Sequence, residues 1–243
     1  MPHSNPQDLR ELPYGDDRLE RTVLIQTDHV TLEGTLGAPT DANGIVLFAH
    51  GSGSSRFSPR NRLVARVLRE AGLGTLLLDL LSHSEEVVDE VTRQYRFDIS
   101  MLADRLVVAI DWLAAQSDTE HLSVGLFGAS TGGGAALVAA ATRPARVGAV
   151  VSRGGRPDLA GDSLPLVEAP TLLLVGERDE QVIDLNERAR ANMRALVRVV
   201  IIPRATHLFE EPGALEVVAA EARDWFAQYL PEQSHAPSRS SQG

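Results

Sequence analysis

The strongest chemical pattern in the sequence is a serine with a glycine two residues before it and another two residues after it. Gly128-Ala129-Ser130-Thr131-Gly132 is a Gly-x-Ser-x-Gly motif that follows the apolar run 122–127 and precedes a run of small residues. This context predicts a sharp strand-to-helix turn that exposes the Ser130 hydroxyl, with helix N–H groups favouring negative charge beside it. The alternative is a glycine-rich turn in which Ser130 only caps the helix. We favour the nucleophile.

A serine nucleophile needs a base, and His207 has the most suitable position among the seven histidines. It follows the apolar run 197–202 across a short loop, downstream of the serine. The other six lie in the terminal segments, in a hairpin turn, at the start of a strand, or before the serine. Of these, His50 is expected to orient a loop rather than to do chemistry. We therefore predict that His207 is the general base.

The base needs an acidic residue that orients it, and Asp179 is the candidate. It comes four residues after the buried run 171–175, between the serine and the histidine in the chain. Glu177 and Glu180 lie within one turn and are competitors for the role. The order serine, aspartate, histidine along successive strand exits is typical of a hydrolase triad.

Another strand exit carries a loop that could stabilise an oxyanion. The run 45–49 leads into the segment 50–56, His-Gly-Ser-Gly-Ser-Ser-Arg. We expect the backbone N–H of Ser52, or of Gly53 as second choice, to act together with that of Thr131 on a developing oxyanion. A dinucleotide-binding loop is excluded because Arg56 stands where the third glycine of Gly-x-Gly-x-x-Gly is required.

The elements that must position these residues alternate between strand and helix. Two short alternating segments, 22–26 and 30–36, predict an N-terminal antiparallel hairpin. Six short apolar runs suit strands buried on both faces: 45–49, 75–80, 122–127, 147–151, 171–175 and 197–202. We predict an α/β fold: a three-layer α/β/α sandwich with a mainly parallel sheet of about eight strands. One domain is expected over 20–230, with tails at 1–19 and 231–243. The segment 152–170 is too short for a large cap domain.

Composition removes several classes of function. The 243 residues include no cysteine, and all 23 basic residues are arginine, which excludes thiolate sites and lysine chemistry. The net charge of −10 disfavours nucleic acid and anionic membranes as partners. We see no metal-ligand spacing and expect no metal and no cofactor. The sequence lacks a signal segment and a membrane span, so we predict a cytoplasmic protein, and leave monomer or homodimer undecided.

The motif around Ser130, the His50-Gly51 loop, Asp179 and His207 together resemble the α/β-hydrolase fold over residues 20 to 230. The size and the loop are most similar to the dienelactone-hydrolase-related branch, in which the nucleophile is a cysteine, whereas this chain has Ser130. The resemblance therefore implies a general serine esterase acting on small-molecule esters. The same triad would also serve an acyltransferase, thioesterase, amidase or lactonase. A non-catalytic binding module is less consistent with the motifs.

Other polar and apolar groups near strand exits could contact a substrate. Gly53 could contact a substrate. Arg56 and Arg153, like Arg156, could bind a substrate carboxylate, although structural ion pairs are the favoured interpretation in an acidic protein. The segment 82–97 could cover one side of the site through Val87, Val88, Val91 and Tyr95. A surface helix is the favoured alternative for that segment.

Overall fold

An eight-stranded sheet between two layers of helices forms the centre of the molecule. The computed structural model describes residues 20–230, so the predicted tails at 1–19 and 231–243 lie outside the described residues. The strands are β1 (Glu20–Gln26), β2 (Thr31–Gly37), β3 (Ile45–Ala49), β4 (Gly74–Leu78), β5 (Val124–Ala129), β6 (Val147–Arg153), β7 (Thr171–Gly176) and β8 (Val197–Ile202). The helices are α1 (Pro59–Glu70), α2 (His83–Thr92), α3 (Ile99–Ala115), α4 (Thr131–Thr142), α5 (Glu180–Asn192) and α6 (Ala214–Tyr229).

The strand order is β1-β2-β4-β3-β5-β6-β7-β8. The β1–β2 hairpin is antiparallel, and β2 also pairs antiparallel with β4, whereas β3 to β8 join the sheet in parallel. These observations confirm the predicted sandwich with its N-terminal hairpin. Because β3, β5, β6, β7 and β8 are parallel, their carboxyl ends open at one edge of the sheet, where the predicted site residues follow.

Two hydrophobic layers hold the sheet in place. One side of the sheet packs against α3 and α4, and the other packs against α1 and α6. Residues of β5, such as Leu126 and Phe127, alternate between the two layers and are completely buried. This burial on both faces explains why the strands read as continuous apolar runs in the sequence.

The connection between β6 and β7 contains no large cap domain, as predicted. It forms a short 3₁₀ segment (Pro157–Leu166) that contacts α4 and α5. Within residues 20–230, no helix is both long and apolar enough to cross a lipid bilayer.

Candidate active site

Ser130 sits at the turn between β5 and α4 in a backbone conformation that only glycine adopts readily. Its φ is 51° and its ψ is −122°, and such a conformation costs on the order of 1–3 kcal/mol for a residue with a side chain. Ser130 occupies the N-cap position of α4, yet its side chain makes no capping hydrogen bond. The hydroxyl is thus not used for the helix start, which was the structural alternative for this residue.

The glycines of the motif allow three backbones to meet at the turn. A Cβ atom at Gly132 would lie 2.3 Å from the carbonyl oxygen of Ala49, and one at Gly128 would lie 2.5 Å from Cα of Gly133. No side chain fits at these distances. The first turn of α4 therefore lies directly against the ends of β3 and β5, next to the loop that follows β3.

Asp179 and His207 meet across the exits of β7 and β8. Asp179 Oδ2 accepts a hydrogen bond of 2.6 Å from His207 Nδ1. Since a carboxylate only accepts, a proton lies on Nδ1, and in the neutral imidazole Nε2 then carries the lone pair. The two competitors of Asp179 are placed elsewhere: the Glu177 carboxylate accepts from the Arg204 N–H at 2.6 Å, and Glu180 is exposed at the start of α5.

The imidazole of His207 lies beside the strand that borders Ser130. A Cβ atom at Gly154 would be 3.5 Å from Cε1 of His207, and the preceding residue, Arg153, accepts the Ser130 N–H through its carbonyl oxygen at 3.2 Å. Within the described residues, Ser130 Oγ and His207 Nε2 form no hydrogen bond. Such contacts often tighten only when substrate binds, so the missing hydrogen bond does not exclude His207 as the base for Ser130.

Carboxylates that the sequence analysis did not assign hold the His207 loop. The side chain of Glu211 accepts a hydrogen bond from the Thr206 N–H at 3.0 Å. This bond, together with bonds from the Glu211 backbone and the Thr206 side chain, lowers the pKa of Glu211. The Arg178 N–H donates to the Ala205 carbonyl at 2.9 Å, which joins the β7 exit to the same loop. No local sequence pattern reveals these contacts, because they depend on how two strand exits lie side by side.

The loop after β3 is fixed by a neutral histidine. The Leu80 N–H donates to His50 Nε2 at 2.9 Å, so the ring proton must lie on Nδ1, which donates to the Gly51 carbonyl at 2.9 Å. If His50 also carried a proton on Nε2, that proton would point at the Leu80 N–H, so the doubly protonated ring does not fit. Burial lowers the pKa of His50, consistent with this neutral form. His50 thus connects the exits of β3 and β4, the orienting role expected of it.

The predicted oxyanion donors lie next to each other, but one of them is already engaged. The Ser52 N–H donates to Thr131 Oγ1 at 3.1 Å. The Thr131 N–H forms no hydrogen bond with the described residues. Gly53 follows with a φ of 68°. An oxyanion near Ser130 could therefore accept a hydrogen bond from the Thr131 N–H directly. The Ser52 N–H would have to be shared between the oxyanion and the threonine hydroxyl.

A cavity of about 270 Å³ extends from Thr131 and the segment 50–55 to helix α2. Its far wall carries Glu86, Asp89 and Glu90 rather than the valines considered from the sequence. Val91 is 86% exposed, so α2 presents its valines to solvent, as a surface helix would. The helix nevertheless borders the cavity with its acidic face, a feature that the sequence analysis missed although the i, i+3, i+4 spacing was visible.

The charges on this wall differ in how they are paired. Burial would raise the pKa of Asp89, but hydrogen bonds from the Arg96 side chain and backbone outweigh it and lower the pKa. Burial, together with the charge of Asp79, raises the pKa of Glu86. Among residues 20–230, no three His, Asp or Glu side chains come together as a metal site would need.

The three arginines considered as substrate contacts have different environments. The backbone N–H and the guanidinium of Arg56 both bind Asp79, and the guanidinium also binds Glu33 at 2.7 Å. Arg156 forms a two-pronged contact with Asp158. Both therefore make the structural ion pairs that the sequence analysis favoured.

Arg153 is the exception among these three arginines. It is buried at the end of β6 with 8% of its surface exposed, and its Nη1 atom has no hydrogen-bond partner.

Comparisons with known proteins found similar sequences and similar folds. The sequence model of the dienelactone hydrolase family matches residues 32–230. A dienelactone hydrolase from Anabaena variabilis ATCC 29413 is 62% identical and superposes with a TM-score of 0.86, over 87% of this chain and 98% of that one. Est1E from Butyrivibrio proteoclasticus shares the fold, with a TM-score of 0.72 at 16% identity over 86% of this chain and 98% of that one.

The curated relatives carry a different name. Two proteins of Mycobacterium tuberculosis, from strain CDC 1551 / Oshkosh and strain ATCC 25618 / H37Rv, are each called "Putative phosphoribosyl transferase". Each is 56% identical over 211 residues, which is 87% of this chain and 47% of the relative. The chain thus spans about half the length of these relatives.

Proposed function

Because the chain belongs to the dienelactone hydrolase family, we propose that it is a serine hydrolase that cleaves small carboxylic esters through an acyl-enzyme intermediate. One observation carries the proposal. Ser130 is held in a costly backbone conformation with a hydroxyl that caps nothing, beside the strand end that His207 contacts. Strain of this kind persists where a reactive group must be presented.

In the proposed reaction, Ser130 Oγ attacks the ester carbonyl carbon while His207 Nε2 takes the hydroxyl proton. Asp179 keeps the imidazole in the required tautomer and stabilises the imidazolium that forms. The Thr131 N–H, together with the Ser52 N–H, stabilises the oxyanion. His207 then gives its proton to the leaving alcohol as the carbon–oxygen bond breaks. Water, deprotonated by the same histidine, hydrolyses the acyl-enzyme and restores Ser130.

The geometry favours ester hydrolysis over the activity in the curated relatives' name. That name describes proteins of which the chain spans 47%, and no contact of the described site points to transfer of a phosphoribosyl group. A small substrate suits the site, because the adjoining cavity measures about 270 Å³ and no cap domain within residues 20–230 encloses it.

The proposal is tested with nitrophenyl esters of short acyl chains and with a fluorophosphonate probe that labels activated serines. Ser130→Ala should abolish labelling and lower kcat by at least roughly 10³-fold, with an unchanged melting temperature. Ser100→Ala, which removes an exposed serine hydroxyl from α3, is the matched control and should behave as the unaltered protein. Undiminished hydrolysis or labelling in Ser130→Ala would refute the assignment.

A further inference from the structure

The hydroxyl of Thr131 is used as an acceptor but not as a donor. Its Oγ1 atom accepts a hydrogen bond of 3.1 Å from the Ser52 N–H, across the exits of β3 and β5. Within residues 20–230, the hydroxyl proton has no acceptor. The threonine at the other end of α4 differs, since the Thr142 hydroxyl donates to the Val138 carbonyl at 2.8 Å. Because Thr131 is buried and buried donors are normally paired, its unused proton calls for an acceptor that the free protein lacks.

Thr131 borders space that a ligand beside the candidate nucleophile can enter. It follows Ser130 directly, and it lines the cavity of about 270 Å³ together with Ser52 and Gly53. The loop after β3 reaches the nucleophile at the same place, because a Cβ atom at Gly51 would lie 3.1 Å from the Ser130 Cβ atom. The threonine side chain and the Ser52 N–H therefore meet next to the position that the carbonyl group of a bound ester must take.

An oxyanion at this position would share a donor with the Thr131 hydroxyl. If it accepts the Ser52 N–H, it lies about 3 Å from that nitrogen, on the side where the N–H already points at Thr131 Oγ1. Two oxygens that share one N–H are close together, so a hydroxyl that turned its lone pairs towards the oxyanion would repel it. A hydroxyl has one proton besides its lone pairs, and here that proton is unused. With the proton turned to the oxyanion, the repulsion becomes a hydrogen bond, which the Ser52 N–H strengthens by polarising the hydroxyl.

We propose that the side chain of Thr131 is a catalytic residue, whose hydroxyl donates a hydrogen bond to the oxyanion beside the Thr131 N–H. The inference rests on the proposed function, since this oxyanion forms only when Ser130 attacks an acyl carbon. No proton is transferred: the O–H bond of Thr131 stays intact, and its hydrogen bond strengthens as the carbonyl oxygen gains charge and weakens when the carbonyl re-forms. The Ser52 N–H then supports the oxyanion through the threonine hydroxyl as well as directly.

The kinetic test uses a short-chain nitrophenyl ester and variants at both ends of α4. Thr131→Val keeps the shape of the side chain and the backbone N–H but removes the hydroxyl. Its kcat should fall by about 10- to 100-fold, the size expected for a hydrogen bond to a charged group, with KM little changed because the oxyanion forms only in the transition state. Thr131→Ser keeps the hydroxyl and should retain most of kcat, whereas Thr131→Ala should lose as much as Thr131→Val.

Two further readouts separate this role from a general disturbance of the site. Thr142→Val removes an exposed hydroxyl from the same helix and should behave as the unaltered protein. The pH dependence of kcat should keep its shape in Thr131→Val, because the contact between His207 and Asp179 is untouched. The melting temperature of each variant is measured alongside and should change little.

A binding test needs no turnover. A small trifluoromethyl ketone adds to Ser130 Oγ, the hydroxyl proton passes to His207, and the carbonyl oxygen becomes an oxyanion that persists. Its inhibition constant should rise in Thr131→Val by about the same factor by which kcat falls, and should stay nearly unchanged in Thr131→Ser.

The outcomes distinguish this inference from the proposed function. If Thr131→Val hydrolyses the ester and binds the ketone as well as the unaltered protein or better, the hydroxyl only competes for the Ser52 N–H, and the inference is overturned while the hydrolase proposal stands. An equal loss in Thr131→Val and Thr131→Ser would assign the effect to packing and would overturn it as well. If the unaltered protein neither hydrolyses esters nor binds the ketone at Ser130, the hydrolase proposal fails and the inference fails with it.

Discussion

Two arginines at the strand exits, the buried Arg153 and the half-buried Arg56, should respond in opposite directions to the same substitution. Arg153→Met removes an unpartnered charge, whereas Arg56→Met removes the partner of Asp79, a carboxylate that is itself buried. We expect Arg153→Met to raise the free energy of unfolding and Arg56→Met to lower it. The pair of variants keeps the chemistry of the change constant and varies only the pairing of the guanidinium.

The magnitude follows from the charge of Arg153. Lowering the pKa of Arg153 from the ordinary arginine range to about 10 corresponds to about 3 kcal/mol of unfavourable environment for the charged form. The shorter methionine loses some packing, so the expected gain is about 1–3 kcal/mol. Removing Arg56 should cost about 3 kcal/mol, the usual loss when one partner of a buried pair is deleted.

The assay is urea denaturation at pH 7.5 in a buffer free of phosphate, sulfate and carboxylates, followed by circular dichroism. The pH dependence has a defined sign. The folded-state pKa of Arg153 is lowered, so its cost is fully present below pH 10 and is relieved as the pH rises through about 10. The advantage of Arg153→Met should therefore shrink above that pH. Equal destabilisation by both substitutions would show that Arg153 is paired, and the reasoning would be wrong.

Three further changes test other parts of the site. Asp179→Asn should lower kcat for ester hydrolysis by roughly 10³- to 10⁴-fold without unfolding the protein, because the His207 tautomer is lost; normal turnover would contradict this. Gly132→Ala should lower the free energy of unfolding by at least about 2 kcal/mol in urea titrations, since the new Cβ meets the Ala49 carbonyl, whereas Gly74→Ala, whose Cβ would come no closer than 3.3 Å to the Ile45 side chain, should cost less. His50 has a lowered pKa in the fold, so stability should fall as the pH drops below about 6.5, and His50→Gln should flatten that loss in denaturation midpoints measured at pH 7 and 5.

Much of the fold could be predicted because the strands are buried on both faces. The runs 45–49 and 197–202 coincide with β3 and β8, and the alternating pattern near the N-terminus became the antiparallel hairpin. Strand ends were less accurate. The run expected at 75–80 stops at Leu78, since the next N–H groups turn to distant acceptors: Asp79 donates to the Glu33 carbonyl and Leu80 to His50. Such long-range partners leave no local signature.

The residues of the candidate site could be located by their place after each strand, but their pairing could not. Arg56 and Arg153 look equivalent in the sequence, each following an apolar run. Only the fold shows that Asp79 lies against the first and that no described carboxylate reaches the second. In the same way, the sequence indicates a backbone donor at Ser52, whereas the fold aims that N–H at Thr131 Oγ1.

The buried polar atoms that lack a partner are concentrated where parallel strands end. In the described part of the chain they lie in the loop after β3, in the first turn of α1, at the end of β6 and on α5, where Asn186 contacts the Gly155 carbonyl. Elsewhere, buried polar groups such as Thr119 are hydrogen-bonded. Folding alone would favour partners for all of these groups, because an unpaired buried polar atom is destabilising. Two of these atoms, Ser152 Oγ and Arg153 Nη1, lie at the end of β6, where the Arg153 carbonyl accepts the Ser130 N–H, so part of this cost falls next to the proposed nucleophile.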